Sequence, residues 1–362
     1  MPVQKPTIRR AVVVLFAVSA VLAVVLLRAC SGDPAPEPSP TATATAVLAP
    51  TPTPTPSPTG PLAPLTGEVV SADAAARPAL AVKIENTAKA RPQAGLEVAD
   101  LVFEELVEGG ITRFFAVFQS DVPAQIGPIR SARLVDADLL PAFSGIFLYS
   151  GGRDDVEASI RGAATRLTEG DSGVYRQSGR RAPSNLFADG VPVYSEAMKR
   201  TPELTAPAPM FEFSTDVPAG ACASCDGSAI DASMSNQVTS AWTYEIAAGL
   251  YRLAPNGTRQ PTVSGDDVGA ANVILMGVEL GTGGCCDTAG SPYVTTRTTG
   301  SGRAVVLRDG QWFETVWSRA SASDGWSFAI DGATMALKPG ATWIHLIPSS
   351  RLPASPAAPT AP

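Results

Sequence analysis

Residues 101–118, Leu-Val-Phe-Glu-Glu-Leu-Val-Glu-Gly-Gly-Ile-Thr-Arg-Phe-Phe-Ala-Val-Phe, carry the pattern that decides the fold. Two stretches rich in β-branched and aromatic residues, Leu101–Val107 and Thr112–Phe118, flank the adjacent glycines Gly109 and Gly110. Glycine supplies the positive φ angles that a tight turn between strands needs. The segment therefore predicts a β-hairpin with a two-residue turn.

The predicted turn sets which residues share a face of the hairpin. It pairs Leu106 with Arg113 and places Arg113 diagonal to Glu104 and Glu108, within reach of their carboxylates. The plainer interpretation of that face is a Glu-Arg-Glu cluster whose charges pair only with one another. Glu105 falls on the opposite, phenylalanine-rich face, where a carboxylate needs a partner or a raised pKa. Glu105 is therefore a candidate buried anchor or acid.

The rest of the chain divides into two regions with different patterns of predicted secondary structure. Helix-like and strand-like stretches alternate over residues 64–215, which predicts an N-terminal mixed α/β domain with Ser131 capping a helix over Ala132–Phe143. Residues 236–350 contain short strands and hairpin signals, which predict a small antiparallel β domain. The expected fold class is α+β. The hairpin signals are Asn256-Gly257, Asp309-Gly310 and Asp331-Gly332.

The N-terminus is typical of an export signal. Within residues 1–30, three basic residues precede the apolar run Ala11–Leu27, and the segment ends at Cys30. Leu27-Arg28-Ala29-Cys30 is similar to a lipobox, which makes Cys30 a candidate for lipidation, although Arg28 is atypical there. An uncleaved membrane anchor is the alternative. Under the positive-inside rule, either one places the rest of the chain at the outer face of the cytoplasmic membrane.

Two segments are expected to lack a core. Residues 31–63 alternate proline with threonine, alanine and serine, and residues 351–362 form a second proline-rich and alanine-rich tail. Proline-rich chains adopt polyproline II at about 3.1 Å per residue, so the first segment reaches roughly 90 Å when extended. It would hold the folded part away from the membrane.

Composition excludes several function classes. The formal net charge is -7, so the chain gains little from phosphate contacts and nucleic acid is not expected as a partner. His345 is the single histidine, which excludes a histidine-dependent triad and a site with several histidine ligands. We expect His345 to be structural. No metal or cofactor is expected.

Four cysteines lie in the body of the chain, as the pairs Cys222/Cys225 and Cys285/Cys286. An even number in an exported protein favours disulfides. Because joining the neighbours Cys285 and Cys286 would make a strained ring, bridges between the two loops are favoured. A metal site or a redox pair remains an alternative.

Arginine is the only basic residue type from Arg113 to Arg181. Arg130 and Arg133 lie three residues apart at the expected start of a helix, where arginine can bind phosphate or carboxylate in a bidentate manner. Together with neighbouring residues they predict an anion-binding cradle. The alternative is that these arginines pair with acidic residues of the same span. The candidate ligand-binding residues are Glu105, Arg113, Arg130, Ser131, Arg133, Gly151, Gly152 and Arg153.

Several short motifs resemble those of the YerB-like lipoprotein family. They are Lys83-Ile-Glu-Asn86, Ala90-Arg-Pro-Gln93, Glu104–Arg113, Gly127–Arg133, Tyr149-Ser-Gly-Gly152, Trp242-Thr-Tyr244, Ala271-Asn-Val273, Trp317-Ser-Arg319 and Thr342-Trp-Ile344. The resemblance covers roughly residues 65–350 and implies an exported lipoprotein with an N-terminal and a C-terminal part. The family has no established activity, so the resemblance leaves the function open.

These features favour a non-enzymatic binding or scaffold module that is tethered to the membrane and holds an anionic cell-wall precursor or polymer. No particular protein partner is indicated. The alternative is a glycan or phosphoryl transferase loosely similar to LytR-type enzymes. That enzyme would use Glu105 or Asp100 as its acid or base, and Asp100, Asp136 and Asp138 are the available magnesium ligands.

Overall fold

The computed structural model describes residues 60–143, 145–223, 225–259, 261–284 and 290–354. The α-helices are α1 Ala72–Ala75, α2 Leu134–Leu139, α3 Asp154–Ser159 and α4 Gly190–Arg200. The strands are β1 Leu80–Glu85, β2 Leu101–Leu106, β3 Thr112–Phe118, β4 Ile146–Leu148, β5 Thr165–Leu167, β6 Val174–Arg176, β7 Leu186–Ala188, β8 Ala229–Ser233, β9 Thr239–Glu245, β10 Leu250–Pro255, β11 Gly269–Ala270, β12 Asn272–Val278, β13 Leu280–Thr282, β14 Val294–Thr296, β15 Gly300–Arg308, β16 Gln311–Arg319, β17 Ser327–Ile330, β18 Ala333–Thr334 and β19 Thr342–Pro348.

Part of what the sequence predicts lies outside the described residues. This applies to the export signal with Cys30, to nearly all of the linker over residues 31–63, to Cys285 and Cys286, and to most of the tail. Within the described residues, none of the helices has both the length and the apolar character needed to cross a bilayer.

A mixed sheet of eleven strands, in the order β18-β17-β16-β15-β12-β19-β2-β3-β1-β4-β5, forms the centre of the fold. The expected α+β class is confirmed. β19 runs parallel to both of its neighbours, β12 and β2, so one sheet joins strands from the two regions that differ in sequence texture. β12 and β2 are buried along their whole length, and β19 is buried up to its last residue. Burial on both faces explains why most residues of these strands are apolar.

Each face of the large sheet is covered by its own core. α2, α3 and Phe143 pack on one face, against side chains such as Phe103 and Phe115. On the other face, α4 and a second sheet in the order β11-β10-β9-β8 pack against Val102 and Phe114. The molecule is thus layered, and a charged residue on β1, β2 or β3 is buried whichever way it points.

The three dipeptides that signal hairpins lie at turns in the structure. Asp309-Gly310 joins β15 to β16 and Asp331-Gly332 joins β17 to β18, with positive φ at both residues of each pair. Asn256-Gly257 also has positive φ at both residues, but it ends β10 instead of joining two paired strands. A two-residue turn with positive φ at both positions matches the twist of the strands that it connects.

The hairpin of β2 and β3 forms, but the predicted register is wrong by one residue. Leu106 pairs with Thr112, and Glu105 pairs with Arg113. Gly109 and Gly110 both have positive φ inside a three-residue loop, which the hydrogen bond from Val107 N–H to the Ile111 carbonyl closes at 2.9 Å. A one-residue shift moves side chains to the other face of a strand. Arg113 therefore shares a face with Glu105 and not with Glu104.

The predicted bridges between the two cysteine loops are also wrong for the first pair. Cys222 is bonded to Cys225, with Cα atoms 5.3 Å apart. The Cys225 N–H donates to the Cys222 carbonyl at 3.2 Å, which closes a turn and brings the two sulfurs together. A local turn thus brings the two cysteines within bonding range, and a long-range bridge is not needed to satisfy them.

Candidate functional site

The segment that carries Arg130 and Ser131 lies between the end of β1 and the residues that follow β4. Arg130 N–H donates to the Lys83 carbonyl at 2.8 Å, and Ser150 N–H donates to the Arg130 carbonyl at 2.9 Å. Ala132 N–H donates to the Gly151 carbonyl at 3.0 Å. These bonds hold the segment extended at the edge of the large sheet.

The extended segment also explains why the predicted N-cap is wrong. Arg133, and not Ser131, precedes the first turn of α2, and its N–H donates to the Asp136 carboxylate at 2.7 Å. Because residues 130–132 are bonded to the strands on either side, the helix can begin only after them. Ser131 instead offers its carbonyl to the Arg113 guanidinium and its hydroxyl to that of Ser150 at 3.4 Å.

Three arginines converge here, and we call Arg113, Arg130 and Arg133 the arginine cluster. Arg113 is 6% exposed. Burial, and then the repulsion of Arg133 and Arg130, lower the pKa of Arg113 to about 9, although Glu108 and Glu105 act in the opposite direction. The group therefore remains charged at neutral pH. Like charges held this closely raise the free energy of the fold unless anions compensate them.

Carboxylates of the protein supply part of that compensation. Glu108 accepts from Nε and Nη2 of Arg133 at 2.8 and 2.7 Å. A carboxylate oxygen of Glu85 lies 3.6 Å from Nε of Arg130, too far for a hydrogen bond. The alternative to an anion site, pairing of the arginines with acidic residues, is thus present. Arg133 has a complete ion pair with Glu108, whereas the pair of Arg130 with Glu85 lacks a hydrogen bond.

The two predicted glycines and Arg153 lie at the outer side of the arginine cluster. Gly151 has a φ of 105°, and its carbonyl accepts the Ala132 N–H next to Ser131. Arg153 forms an ion pair with Asp155, and its guanidinium lies 3.6 Å from the centre of the Tyr293 ring. Arg153 thus contacts the C-terminal region, while the other predicted residues lie around the end of β1.

Glu105 belongs to a buried group that we call the Lys83 triad: Lys83, Glu105 and Asp136. All three side chains are 0% exposed, and the Lys83 ammonium contacts Glu105 and lies 2.6 Å from Asp136. Burial and the Asp136 carboxylate raise the pKa of Glu105, and Lys83 and Arg113 lower it, with the net result that the pKa lies at about 7. The sequence indicates that Glu105 needs a partner or a raised pKa, and the structure shows both.

Lys83 and Asp136 are absent from the predicted site. Lys83 is a charged residue within the apolar strand Leu80–Glu85, and, like Glu105, it therefore needs a partner of opposite charge. The sequence of the strand does not reveal which residue pairs with Lys83. The sequence offers Asp136 only as an available magnesium ligand, whereas in the fold its second oxygen accepts the Arg133 N–H at the start of α2. Only the packing of α2 on the sheet places it beside Lys83.

A second buried network lies on the opposite face of the sheet, around Glu104. Its carboxylate accepts from Asn86 at 3.0 Å, Thr112 at 2.7 Å and Ser240 at 2.8 Å, and it contacts Nδ1 of His345 at 2.7 Å. Burial opposes ionisation, but the hydrogen bonds outweigh it, so the pKa of Glu104 lies below its ordinary value.

The Glu104 network also defines the state of the single histidine. The Trp242 indole N–H donates to Nε2 of His345 at 2.8 Å, so Nε2 is an acceptor and the proton of the neutral ring lies on Nδ1. His345 is fully buried, in line with the structural role expected of it. The network connects β2 and β3 to β9 and β19.

The raised pKa of Glu105 predicts that the folded protein loses stability as pH rises through the neutral range. The pKa is 4.5 ordinarily and about 7 in the fold, so the folded state keeps a proton that the unfolded chain loses between these values. This contribution is complete below about pH 4.5 and is lost as pH rises through about 7. Glu105→Gln cannot titrate, so its free energy of unfolding should vary by up to about 3 kcal/mol less over this interval. Urea unfolding at pH 5 and pH 8 checks this, and equal pH dependences would contradict it.

The carboxylates that a transferase would need are already engaged. Asp100 is 3% exposed and accepts the N–H groups of Gln119 and Ser120, Glu105 is enclosed in the Lys83 triad, and Asp138 lies near Arg319. In the described part of the chain, no group of three or more His, Cys, Asp or Glu residues is placed to hold a metal ion. No contact of these residues favours the transferase hypothesis.

Comparison with known proteins gives consistent matches. Family models described as the N-terminal and C-terminal domains of a protein of unknown function, DUF3048, match residues 65–203 and 230–344. The Bacillus subtilis (strain 168) protein named "Putative lipoprotein YerB" is 28% identical over 295 residues, which cover 79% of this chain and 86% of that protein. The crystal structure of YerB from Bacillus subtilis matches with a TM-score of 0.68, covering 79% of this chain and 96% of the other. The chain belongs to the YerB-like lipoprotein family, which is built from the two DUF3048 domains.

Proposed function

We propose that this chain is a lipoprotein, tethered through Cys30 at the outer face of the cytoplasmic membrane, which binds an anionic cell-wall precursor or polymer and acts as a scaffold module. The tether is supported by the lipobox-like sequence before Cys30 and by similarity to a relative that is named as a lipoprotein. Mass spectrometry of the mature N-terminus tests it, and an unmodified Cys30 would refute lipidation there.

The binding role is supported by one observation above the others, the convergence of the arginine cluster at the sheet edge. Burial, and then the repulsion of Arg133 and Arg130, lower the pKa of Arg113, as expected for three positive charges that lie close together. Arg130 and Arg133 remain partly accessible, with side chains 21% and 15% exposed. A phosphate or carboxylate between them would relieve the repulsion and accept charge-assisted hydrogen bonds.

Arg130 is the residue best prepared for an external anion. In the described part of the chain, its Nε atom is buried and has no hydrogen-bond acceptor, and the nearest Glu85 oxygen is also without a donor. A buried donor without an acceptor costs about 1–3 kcal/mol. A bound anion oxygen would remove that cost, which gives the ligand a source of affinity.

Substitution at the arginine cluster tests the proposal. Arg130→Ala, alone and combined with Arg133→Ala, should weaken retention on immobilised poly(glycerol phosphate) by about tenfold or more per variant position, because a hydrogen bond to a charged group contributes about 1.5–3 kcal/mol. Arg133→Ala also removes the partner of the buried Glu108 and can therefore destabilise the fold. Arg130→Ala loses only a 3.6 Å contact with Glu85, so it is the variant that should disturb folding least.

A matched control removes the same charge elsewhere. Arg176 and Arg200 form surface ion pairs with Glu169 and Asp171, and no ion pair of the described residues joins either of them to the arginine cluster. Changing both to alanine lowers the net charge equally and should leave retention unchanged. Equal losses in the two double variants would show nonspecific attraction and refute the site.

A further inference from the structure

An apolar cavity of about 370 Å³ lies at the tip of the β2–β3 hairpin. This volume falls within the range of pockets that hold small ligands. The hairpin, the segment after β8, the strands β13 and β14 and the end of β19 all contribute to its wall. The apolar side chains of that wall are Leu106, Val107, Met234, Leu280, Val294 and Pro348.

One charge accompanies this apolar wall. Among the described residues that line the cavity, Arg351 alone has a side chain of a charged type. Its guanidinium donates to the neutral side-chain oxygen of Asn236, and within the described ranges no carboxylate lies within 4.0 Å of it. The wall therefore offers hydrocarbon contacts together with a positive charge that is not neutralised by an ion pair in the described chain.

We propose that this cavity binds a single-chain anionic amphiphile, an alkyl or isoprenyl phosphate, with its chain against Leu280 and Val294 and its phosphate on Arg351. Burial of each methylene in an apolar wall tightens binding about fourfold, until the cavity is filled. A phosphate gives bidentate hydrogen bonds to a guanidinium, whereas an uncharged head group leaves the arginine charge uncompensated. This site uses none of the residues of the arginine cluster.

The test uses the full chain in its native membranes, so that no detergent competes for the cavity. The probe is dodecyl phosphate with a photoreactive diazirine near the end of its chain, and the dodecanol analogue is the uncharged comparison. We expect crosslinks to map to the peptides that contain Val107, Met234, Leu280 and Val294. Dodecyl phosphate should compete more strongly than octyl phosphate.

Two variants separate the chain contact from the charge contact. Leu280 is 37% exposed, so Leu280→Asp is tolerated by the fold and should lower labelling by both probes about tenfold. Arg351→Gln should lower labelling by the phosphate probe about fivefold and leave that by the alcohol unchanged. Ile246→Asp, at a position 86% exposed on another turn, and Arg130→Ala should change neither.

Three outcomes would overturn the proposal. The first is crosslinking that is spread evenly over the chain. The second is labelling that survives both Leu280→Asp and Arg351→Gln in chains that still fold. The third is a rise in labelling when residues 355–362 are removed, which would show that the protein's own tail occupies the cavity. If the unmodified chain does not bind poly(glycerol phosphate) but is still labelled, only the anion site at the arginine cluster is refuted.

Discussion

Lys83→Met is expected to lower the free energy of unfolding by about 3–5 kcal/mol at pH 8. The substitution removes the cation that, among the described residues, forms ion pairs with Glu105 and Asp136, and it keeps the apolar stem. Two carboxylates would then share a fully buried site without the ammonium group that pairs with both of them. Burying an unpaired charge costs far more than a well-formed pair contributes. Urea unfolding measured by near-ultraviolet circular dichroism determines the change.

Controls for Lys83→Met can be taken from the same chain. Lys199→Met removes a lysine that is 73% exposed and only loosely paired with Glu196, so its effect should remain within about 0.5 kcal/mol. Adding Glu105→Gln to Lys83→Met should restore part of the stability, because one buried negative charge disappears. A loss below about 1 kcal/mol for Lys83→Met would show that the triad is not formed as described.

Glu104→Ala is expected to cost about 4 kcal/mol or more. It removes the shared acceptor of Asn86, Thr112, Ser240 and His345, and each buried donor left without an acceptor costs about 1–3 kcal/mol. The effect should exceed that of an isolated hydrogen bond because the donors come from four different strands or strand ends. Thermal and urea unfolding measure it.

The comparison variant for Glu104→Ala is Glu314→Ala. Glu314 is 36% exposed and pairs weakly with Arg303, so its removal should cost less than about 1 kcal/mol. A small loss for Glu104→Ala would mean that water replaces the carboxylate and that the network does not hold β2 and β3 against β9 and β19. A large loss confirms the network as a structural connection between the two regions.

Much of the fold is predictable because its signals are local. Turn residues such as Asp309-Gly310 and the apolar run of β2 identify strands without any knowledge of their partners. The same holds for Glu105, since a carboxylate within an apolar strand must be compensated wherever it lies. The α+β class follows from the alternation of helix-like and strand-like segments in one region and short strands in the other.

The candidate site was predictable only in part. Arg130, Ser131 and Gly151 come together as their motifs indicate, because the residues after β1 and β4 meet at one sheet edge. The partners of Glu105 were not predictable. Lys83 lies on β1 and Asp136 on α2, and each meets Glu105 only after the helix packs on the sheet.

The sequence by itself therefore determined the strands, the turns and the need to neutralise certain buried charges, since each depends on residues within a few positions of one another. The tertiary structure decided the one-residue register of the hairpin, the place of β19 between β12 and β2, and the contacts of the Lys83 triad. The reason is physical. Register, strand order and ion pairing are set by contacts between residues far apart in the chain, whose energies exist only once the layers have packed.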